Sequence, residues 1–206
     1  MTREQENAIV HRVQRGDVNA FELLMSEYEK NVYSIALRMT GNSEDAADMT
    51  QEAFIKAYNS IAAFRGDSKF SVWLYRIVSN VCLDFIRARN RRPTVSLSAE
   101  DDDGEETQLD ITDESQSPEV LLERGLTRDA VRRGLNTLPP DFRQILLLRE
   151  IQGLSYEEIA RALGLEAGTV KSRIFRARKR LCAFLIEDGN IPEYSSSIKK
   201  EGGDRL

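Results

Sequence analysis

The sequence predicts an all-α protein: two small helical domains joined by a flexible acidic linker. Three observations carry that expectation. Apolar residues recur at spacings of three and four through residues 1–92 and again through 118–186, and no useful stretch alternates with the period of a strand. Helix start and stop signals bracket the periodic runs. Between them, residues 93–117 open on Pro93, hold few apolar side chains and include Asp101-Asp102-Asp103-Gly104-Glu105-Glu106, too polar a composition to build a core. Residues 187–206, with Ser195-Ser196-Ser197 and Gly202-Gly203, read as a frayed tail.

The periodic runs predict helices over 4–15, 17–40, 43–60, 70–90, 118–137, 140–151, 155–163 and 166–186. Asp17 can accept from the first free N–H groups of the second helix. Asn42 does the same for the third, where Glu44 and Asp45 add negative charge to the first turn. Pro139-Pro140 stops one helix and starts the next, because proline fits the first helical turn but not the interior. Ser155 with Glu158 three residues on has the spacing of a capping box. Gly164 can take the positive φ that ends a helix in a tight turn.

Composition excludes several classes. The chain has 206 residues, 41% hydrophobic and 31% charged, enough to bury a core. No apolar run approaches a membrane span, and Met1-Thr2-Arg3-Glu4-Gln5-Glu6 lacks a signal-peptide stretch, so the expected place is the cytoplasm, with no membrane insertion of its own. Two cysteines in unrelated segments, Cys82 and Cys182, and one histidine, His11, cannot make a Cys/His zinc site. Both cysteines fall in amphipathic patterns and read as buried or half-buried small hydrophobes. There is no phosphate-binding glycine loop, no nucleophile elbow and no metal set, so the expectation is no enzyme and no cofactor. The net charge of −5 hides an uneven distribution: residues 93–123 hold eleven Asp or Glu and no Lys or Arg, and the remainder is net +6. Residues 167–180 hold six basic residues and no acidic one, an electrostatic footprint for phosphate.

The most informative stretch is Leu154 to Leu185. A short helix, a glycine turn and a longer helix make a helix-turn-helix pattern. At 100° per residue, Val170, Ile174, Ala177, Leu181, Phe184 and Leu185 share the side that packs inward. The far side carries Lys171, Ser172, Phe175, Arg176 and Lys179; Arg173, Arg178 and Arg180 flank the inward stripe. An α-helix fits the DNA major groove, and Arg, Lys and Ser reach base edges and phosphates there. Phe175 is a large apolar ring amid cations, which contact with a thymine methyl or a sugar would explain. A merely solvated basic helix is the plainer reading, but six cations without counter-charges repel one another.

In the first domain, Arg65-Gly66-Asp67-Ser68 forms a turn before a helix whose inward stripe is Leu74, Ile77, Val78, Val81 and Phe85. Trp73, Arg76, Asn80, Asp84, Arg87 and Arg91 line another face. A Trp leading Arg and Asn beside a polar loop suits unpaired nucleic acid, since aromatics stack on bases and Arg tracks phosphate; edge-of-core packing explains Trp73 equally well. The helix from Asp48 to Tyr58 alternates Asp48, Gln51, Glu52 and Lys56 with Met49, Ala53, Phe54 and Ala57. It reads either as an ordinary half-buried helix or as a face for another protein.

Two ordered blocks resemble the sigma-70 family, in its extracytoplasmic-function (ECF) group of the envelope-stress kind. Asp48-Met49-Thr50-Gln51-Glu52-Ala53-Phe54-Ile55-Lys56-Ala57-Tyr58 is similar to region 2.2, and Phe64 through Phe70 with Trp73-Leu74-Tyr75-Arg76-Ile77 to regions 2.3 and 2.4. Leu138-Pro139, Leu154-Ser155-Tyr156-Glu157-Glu158-Ile159-Ala160 and Gly168 through Arg178 resemble region 4. The likeness spans about residues 10–92 and 118–183. It implies a promoter-recognition subunit whose partners are core RNA polymerase (β′ clamp helices and β flap), promoter DNA and an anti-sigma factor. Asp48, Gln51, Glu52, Phe54 and Lys56 would dock on polymerase. Phe64, Arg65, Gly66, Asp67, Ser68, Lys69, Trp73, Arg76 and Asn80 would read and melt the −10 element. Arg149, Tyr156, Glu157, Lys171, Ser172, Arg173, Phe175, Arg176 and Lys179 would contact the −35 element. The division would be 1–92, 93–117 as linker threading the polymerase channel, 118–186 and the tail 187–206. Glu166 stands where many relatives have Pro, though a carboxylate there suits the helix dipole. Lys171 in place of Arg loses a bidentate fork.

Two other readings compete. A helix-turn-helix regulator acting alone would bind duplex DNA tightly without polymerase. A helical protein-interaction adaptor would leave Phe175 among the cations unexplained.

Overall fold

A computed structural model describes residues 1–91 and 118–190. The linker expected over 93–117 and the tail beyond residue 190 lie outside them. The helices are α1 (Arg3–Gln14), α2 (Val18–Thr40), α3 (Ser43–Ser60), α4 (Phe70–Arg91), α5 (Pro118–Thr137), α6 (Pro140–Glu150), α7 (Tyr156–Leu163) and α8 (Ala167–Glu187), with a 3-10 turn at Ile61–Ala63. No strand occurs among the described residues, and no helix there is long and apolar enough to cross a membrane. The all-α expectation holds.

Local chemistry sets the ends. Asp17 accepts from the Ala20 N–H and Asn42 from the Asp45 N–H. Both bonds of the Ser155/Glu158 capping box are made, and Gly164 closes α7 at φ 65°. Thr2 and Gln5 form a second capping box on α1, unforeseen in the sequence reading. Glu166 stands at the start of α8 without a side-chain cap bond. The helix forms all the same, its stability coming from the buried stripe Val170, Ile174, Ala177 and Leu185.

The first half packs α2, α3 and α4 around Leu24, Val32, Ile35, Ala36, Met39, Ala53, Phe70, Leu74 and Val78, with α1 laid against α2. In the second half α6, α7 and α8 share Ile145, Leu148, Ile159, Val170 and Ile174. Each such Ile or Leu side chain contributes about 1.5–3 kcal/mol by leaving water.

The halves are not apart. In α6, Arg143, Gln144, Ile145, Leu146, Leu147 and Leu148 are all buried, a helix covered all round. One side of it faces α7 and α8, the other α2 and α4, so the buried residues form one continuous cluster. Polar contacts cross the same junction. Arg143 donates to the Met39 carbonyl (2.5 Å), Gln144 donates to Asn80 (3.3 Å), and Arg87 pairs with Asp141 (3.0 Å). Gly41 ends α2 at φ 77°, and a Cβ there would lie 3.1 Å from the Asn136 side chain of α5.

Candidate nucleic-acid interface

On α8, Phe175 is 68% exposed, and Lys171, Ser172, Arg176 and Lys179 are exposed around it. None of these cations forms an ion pair among the described residues. The face is a basic surface with one apolar ring at its centre, held out by the inward stripe opposite. Arg173 is half-buried beside it. Ser172 Oγ donates to the Thr169 carbonyl (2.9 Å), which fixes its hydroxyl against the first turn.

The cations are not all unpaired, as charge counting had suggested. Arg178 donates to Glu150 through Nε (3.0 Å) and Nη2 (2.5 Å), and that bond pushes its pKa further up. The Arg180 guanidinium sits 5.2 Å from the centre of the Phe142 ring. These two tie α8 to α6, and the outward set is Lys171, Arg176 and Lys179. Arg149 is also engaged: it donates to the Leu154 carbonyl (2.7 Å) and lies over the Tyr156 ring at 4.9 Å. It braces the turn between α6 and α7 while half-exposed. Tyr156 is half-buried and Glu157 exposed.

In the first half, residues 64–69 leave the 3-10 turn and enter α4. Arg65, Gly66, Asp67 and Lys69 are exposed, and Ser68 is half-buried. Phe64, which the resemblance counts among the −10 contacts, is 8% exposed, edge-on to Phe70 (5.8 Å) and tilted against Trp73 (5.3 Å). Its ring anchors the loop from inside. Trp73 is half-buried on Phe64 and Phe70, so it is an edge-of-core ring with one accessible side. Arg76 and Asn80 are exposed one and two turns further along α4.

This loop faces the second half across a cleft, with Arg65, Asp67, Trp73 and Arg76 on one wall and Glu158 and Arg161 of α7 on the other. The Ser155 N–H bond (2.8 Å) holds the Glu158 carboxyl below the usual carboxylate range, and Lys69 across the cleft adds to that effect. Arg161 escaped the sequence reading because nothing local marks it; only its position opposite the loop does.

On α3, Asp48, Gln51 and Lys56 are exposed and Glu52 is half-buried, paired with Lys56 at 2.7 Å. Phe54, which the resemblance counts among the docking residues, is 5% exposed and edge-on to Phe21. It belongs to the stripe Ala46, Met49, Thr50, Ala53, Phe54 and Ala57, whose spacing carried that signal. The apolar side chain exposed among the polar four is Ile55, one heptad after Asp48. Cys82 is buried as expected and burial pushes its thiol up to about 12, but Cys182 is exposed. Among the described residues no cluster of three or more His, Cys, Asp or Glu could hold a metal ion.

Residues 24–92 match the family profile for sigma-70 region 2, and residues 128–181 match that for sigma-70 region 4. The chain is 43% identical over 185 residues to the RNA polymerase sigma-H factor of Pseudomonas aeruginosa, covering 88% of this chain and 94% of that one. It is 42% identical over 180 residues to the ECF RNA polymerase sigma-E factor of Escherichia coli, covering 85% and 92%. Among solved structures, it is similar to CnrH in complex with the cytosolic domain of CnrY, at a TM-score of 0.64 and 26% identity over 89% of this chain and 99% of that one. It is also similar to the sigma factor RpoE of Bartonella quintana in complex with the anti-sigma factor NepR, at 0.58 and 25%, over 83% and 99%.

Proposed function

We infer how the work is divided between the two halves from the premise that the chain belongs to the sigma-70 family, in its ECF group, and is an alternative sigma factor directing transcription initiation. The second half reads the −35 element by laying α8 in the major groove. The observation that carries this is the outward face of α8, where an exposed Phe175 stands among Lys171, Arg176 and Lys179, with no carboxylate neutralising them among the described residues. Arg176 reaches base edges or phosphate, Phe175 meets a thymine methyl or sugar, and Lys171, Ser172, Arg173 and Lys179 track the backbone. Arg149, Tyr156 and Glu157 shape the turn that presents the helix.

The first half reads and melts the −10 element. Arg65, Gly66, Asp67, Ser68 and Lys69 hold the displaced strand, Trp73 offers its open side to a base, and Arg76 and Asn80 follow the phosphates. Phe64 holds that loop in shape from beneath. Asp48, Gln51, Glu52, Lys56 and the exposed Ile55 form the face that docks on the clamp helices of polymerase, with Phe54 packing behind it. The second half also meets the β flap. Catalysis belongs to the polymerase, and the chain works in the cytoplasm, where core enzyme and promoter are. Its similarity to a sigma factor solved with the anti-sigma factor NepR supports an anti-sigma partner that holds both halves, in some states at the inner face of the membrane.

In the packed arrangement Glu158 and Arg161 face the −10 loop, so the halves part before that loop engages DNA. The test is transcription in vitro with core polymerase and a promoter library. Arg176→Ala costs about 1–3 kcal/mol of discrimination at one −35 position, as for a lost base contact. Equal loss on scrambled and specific −35 sequences restricts Arg176 to phosphate. Tight, specific duplex binding by the chain without polymerase favours a regulator acting alone.

A further inference from the structure

Helix α1 lies outside the residues matched to sigma-70 region 2, which begin at 24. It nevertheless touches both ends of the loop at 64–69. At the start of the loop, the Gln14 side-chain amide donates to two carbonyls at once, those of Ile61 (3.0 Å) and Phe64 (2.9 Å). His11 Nδ1 lies 3.1 Å from the Gln14 Oε1, so the amide oxygen is occupied and the NH2 group is turned to the loop. At the far end, Glu6 is 5% exposed, and its Oε2 accepts from the Phe70 N–H (3.3 Å). Its Oε1 accepts from the Tyr28 hydroxyl. Burial, with Glu6 beside it, pushes the Tyr28 phenol far above its ordinary value, so it keeps the proton it donates.

The loop has little else to hold its backbone. Among the described residues its other bonds are the Phe64 N–H to the Ile61 carbonyl (3.0 Å), and Ser68 Oγ (3.2 Å) and the Trp73 N–H (3.3 Å) to the Lys69 carbonyl. The start of α4 follows Lys69, which cannot accept a capping bond. Glu6 supplies from 64 residues away the acceptor that this helix N-terminus lacks locally. Glu6 and Gln14 are two turns apart on α1, about 12 Å along its axis, so the helix spans the foot of the loop.

We propose that α1 is a splint for the −10 loop, with Glu6 and Gln14 as positioning residues that set the loop's geometry for the displaced strand. The inference rests on the assignment of residues 64–69 and Trp73 to the −10 element. Neither residue touches DNA. Each acts through the backbone atoms it holds: Gln14 on the carbonyls of Ile61 and Phe64, Glu6 on the N–H that begins the helix bearing Trp73 and Arg76.

The experiment uses holoenzyme assembled from core polymerase and the full chain. Opening is read from 2-aminopurine in the non-template −10 strand, and −35 recognition from binding of a duplex −35 fragment. Gln14→Leu keeps the size and removes the donor. It slows opening between about tenfold and a hundredfold, the scale of a misplaced reacting group, and leaves −35 binding within about twofold. Glu6→Leu does the same, and Glu6→Gln restores opening, because an amide can still accept from Phe70 while donating to the Tyr28 oxygen. Unchanged opening with Gln14→Leu, while Trp73→Ala slows it, overturns the splint and leaves the loop's role standing. Unchanged opening with Trp73→Ala as well overturns both. Equal loss in the two readouts with either α1 variant reduces α1 to general scaffolding and also overturns the proposal.

Discussion

Substituting Arg143 by Met separates the two halves, and the magnitude follows from the contacts at the junction. The Arg143 side chain is 7% exposed, and desolvation pulls its pKa below the ordinary value. Nη1 donates to the Met39 carbonyl of α2 (2.5 Å) across the junction, and Nη2 donates to the Asn136 carbonyl of its own half (2.8 Å). Its Nε has no partner among the described residues. Methionine retains the apolar stem and removes the donors. Of the two bonds Arg143 makes, the Met39 bond crosses between halves, and a buried bond from a charged donor contributes about 1.5–3 kcal/mol. Its loss therefore shifts the closed-to-open ratio by roughly 10- to 150-fold. The Arg87–Asp141 pair crosses the same junction with its side chains about half exposed, 52% and 46%. Such a pair contributes about 0–1 kcal/mol, so Arg87→Ala shifts the ratio by less than about fivefold. The assay is single-molecule energy transfer between a dye on Cys182 and one on Lys30→Cys, both exposed sites. Arg143→Met populates a low-transfer state that Arg87→Ala does not. Equal effects of the two substitutions, or none from Arg143→Met, refute the claim that the buried bond holds the halves together.

Three further outcomes are expected. Gly134→Ala puts a Cβ 2.6 Å from Leu181 Cδ1 and 2.8 Å from Phe184 Cδ1. Overpacking of about 1–3 kcal/mol outweighs the roughly 0.5–1 kcal/mol gained in helix propensity, so thermal melting shows a lower Tm; an unchanged or higher Tm removes the close α5–α8 approach. Iodoacetamide modifies Cys182 in the native protein and reaches Cys82 only after unfolding, because burial raises the Cys82 thiol to about 12; mass spectrometry of labelled peptides decides it, and fast native labelling of Cys82 contradicts the packing. The depressed Glu158 carboxyl stabilises the folded state above its ordinary value of 4.5, and that contribution is lost as pH falls through the lowered folded value. Melting measured across that range therefore varies less with pH in Glu158→Gln than in the parent, and identical slopes contradict the capping assignment.

Much of the site was legible because it is written in short-range chemistry. The stop at Gly164, the caps of Asp17 and Asn42, and the Ser155/Glu158 box each join atoms three or four residues apart. The exposure of Phe175 and Arg176 follows from a single helical period with Val170, Ile174 and Ala177 opposite. Where the reading missed, the deciding partner was usually distant. Phe64 points inward because Phe70 and Trp73 close over it, and Arg178 is neutralised by Glu150, 28 residues earlier. Phe54 is the exception, since its place on the Ala46–Ala57 stripe was available from spacing alone.

The sequence by itself determined which segments are helices, where each ends and which face of α8 is left to solvent. Those outcomes depend on hydrogen bonds within one turn and on the phase of one apolar stripe. Tertiary structure alone decided that α6 lies between the halves, that Arg143 reaches Met39, that Arg161 faces the −10 loop and that Glu6 begins α4 from another helix. These join residues 64 to 104 positions apart or depend on how helices cross. No local preference specifies them, because the free energy that selects them appears only when separate surfaces leave water together.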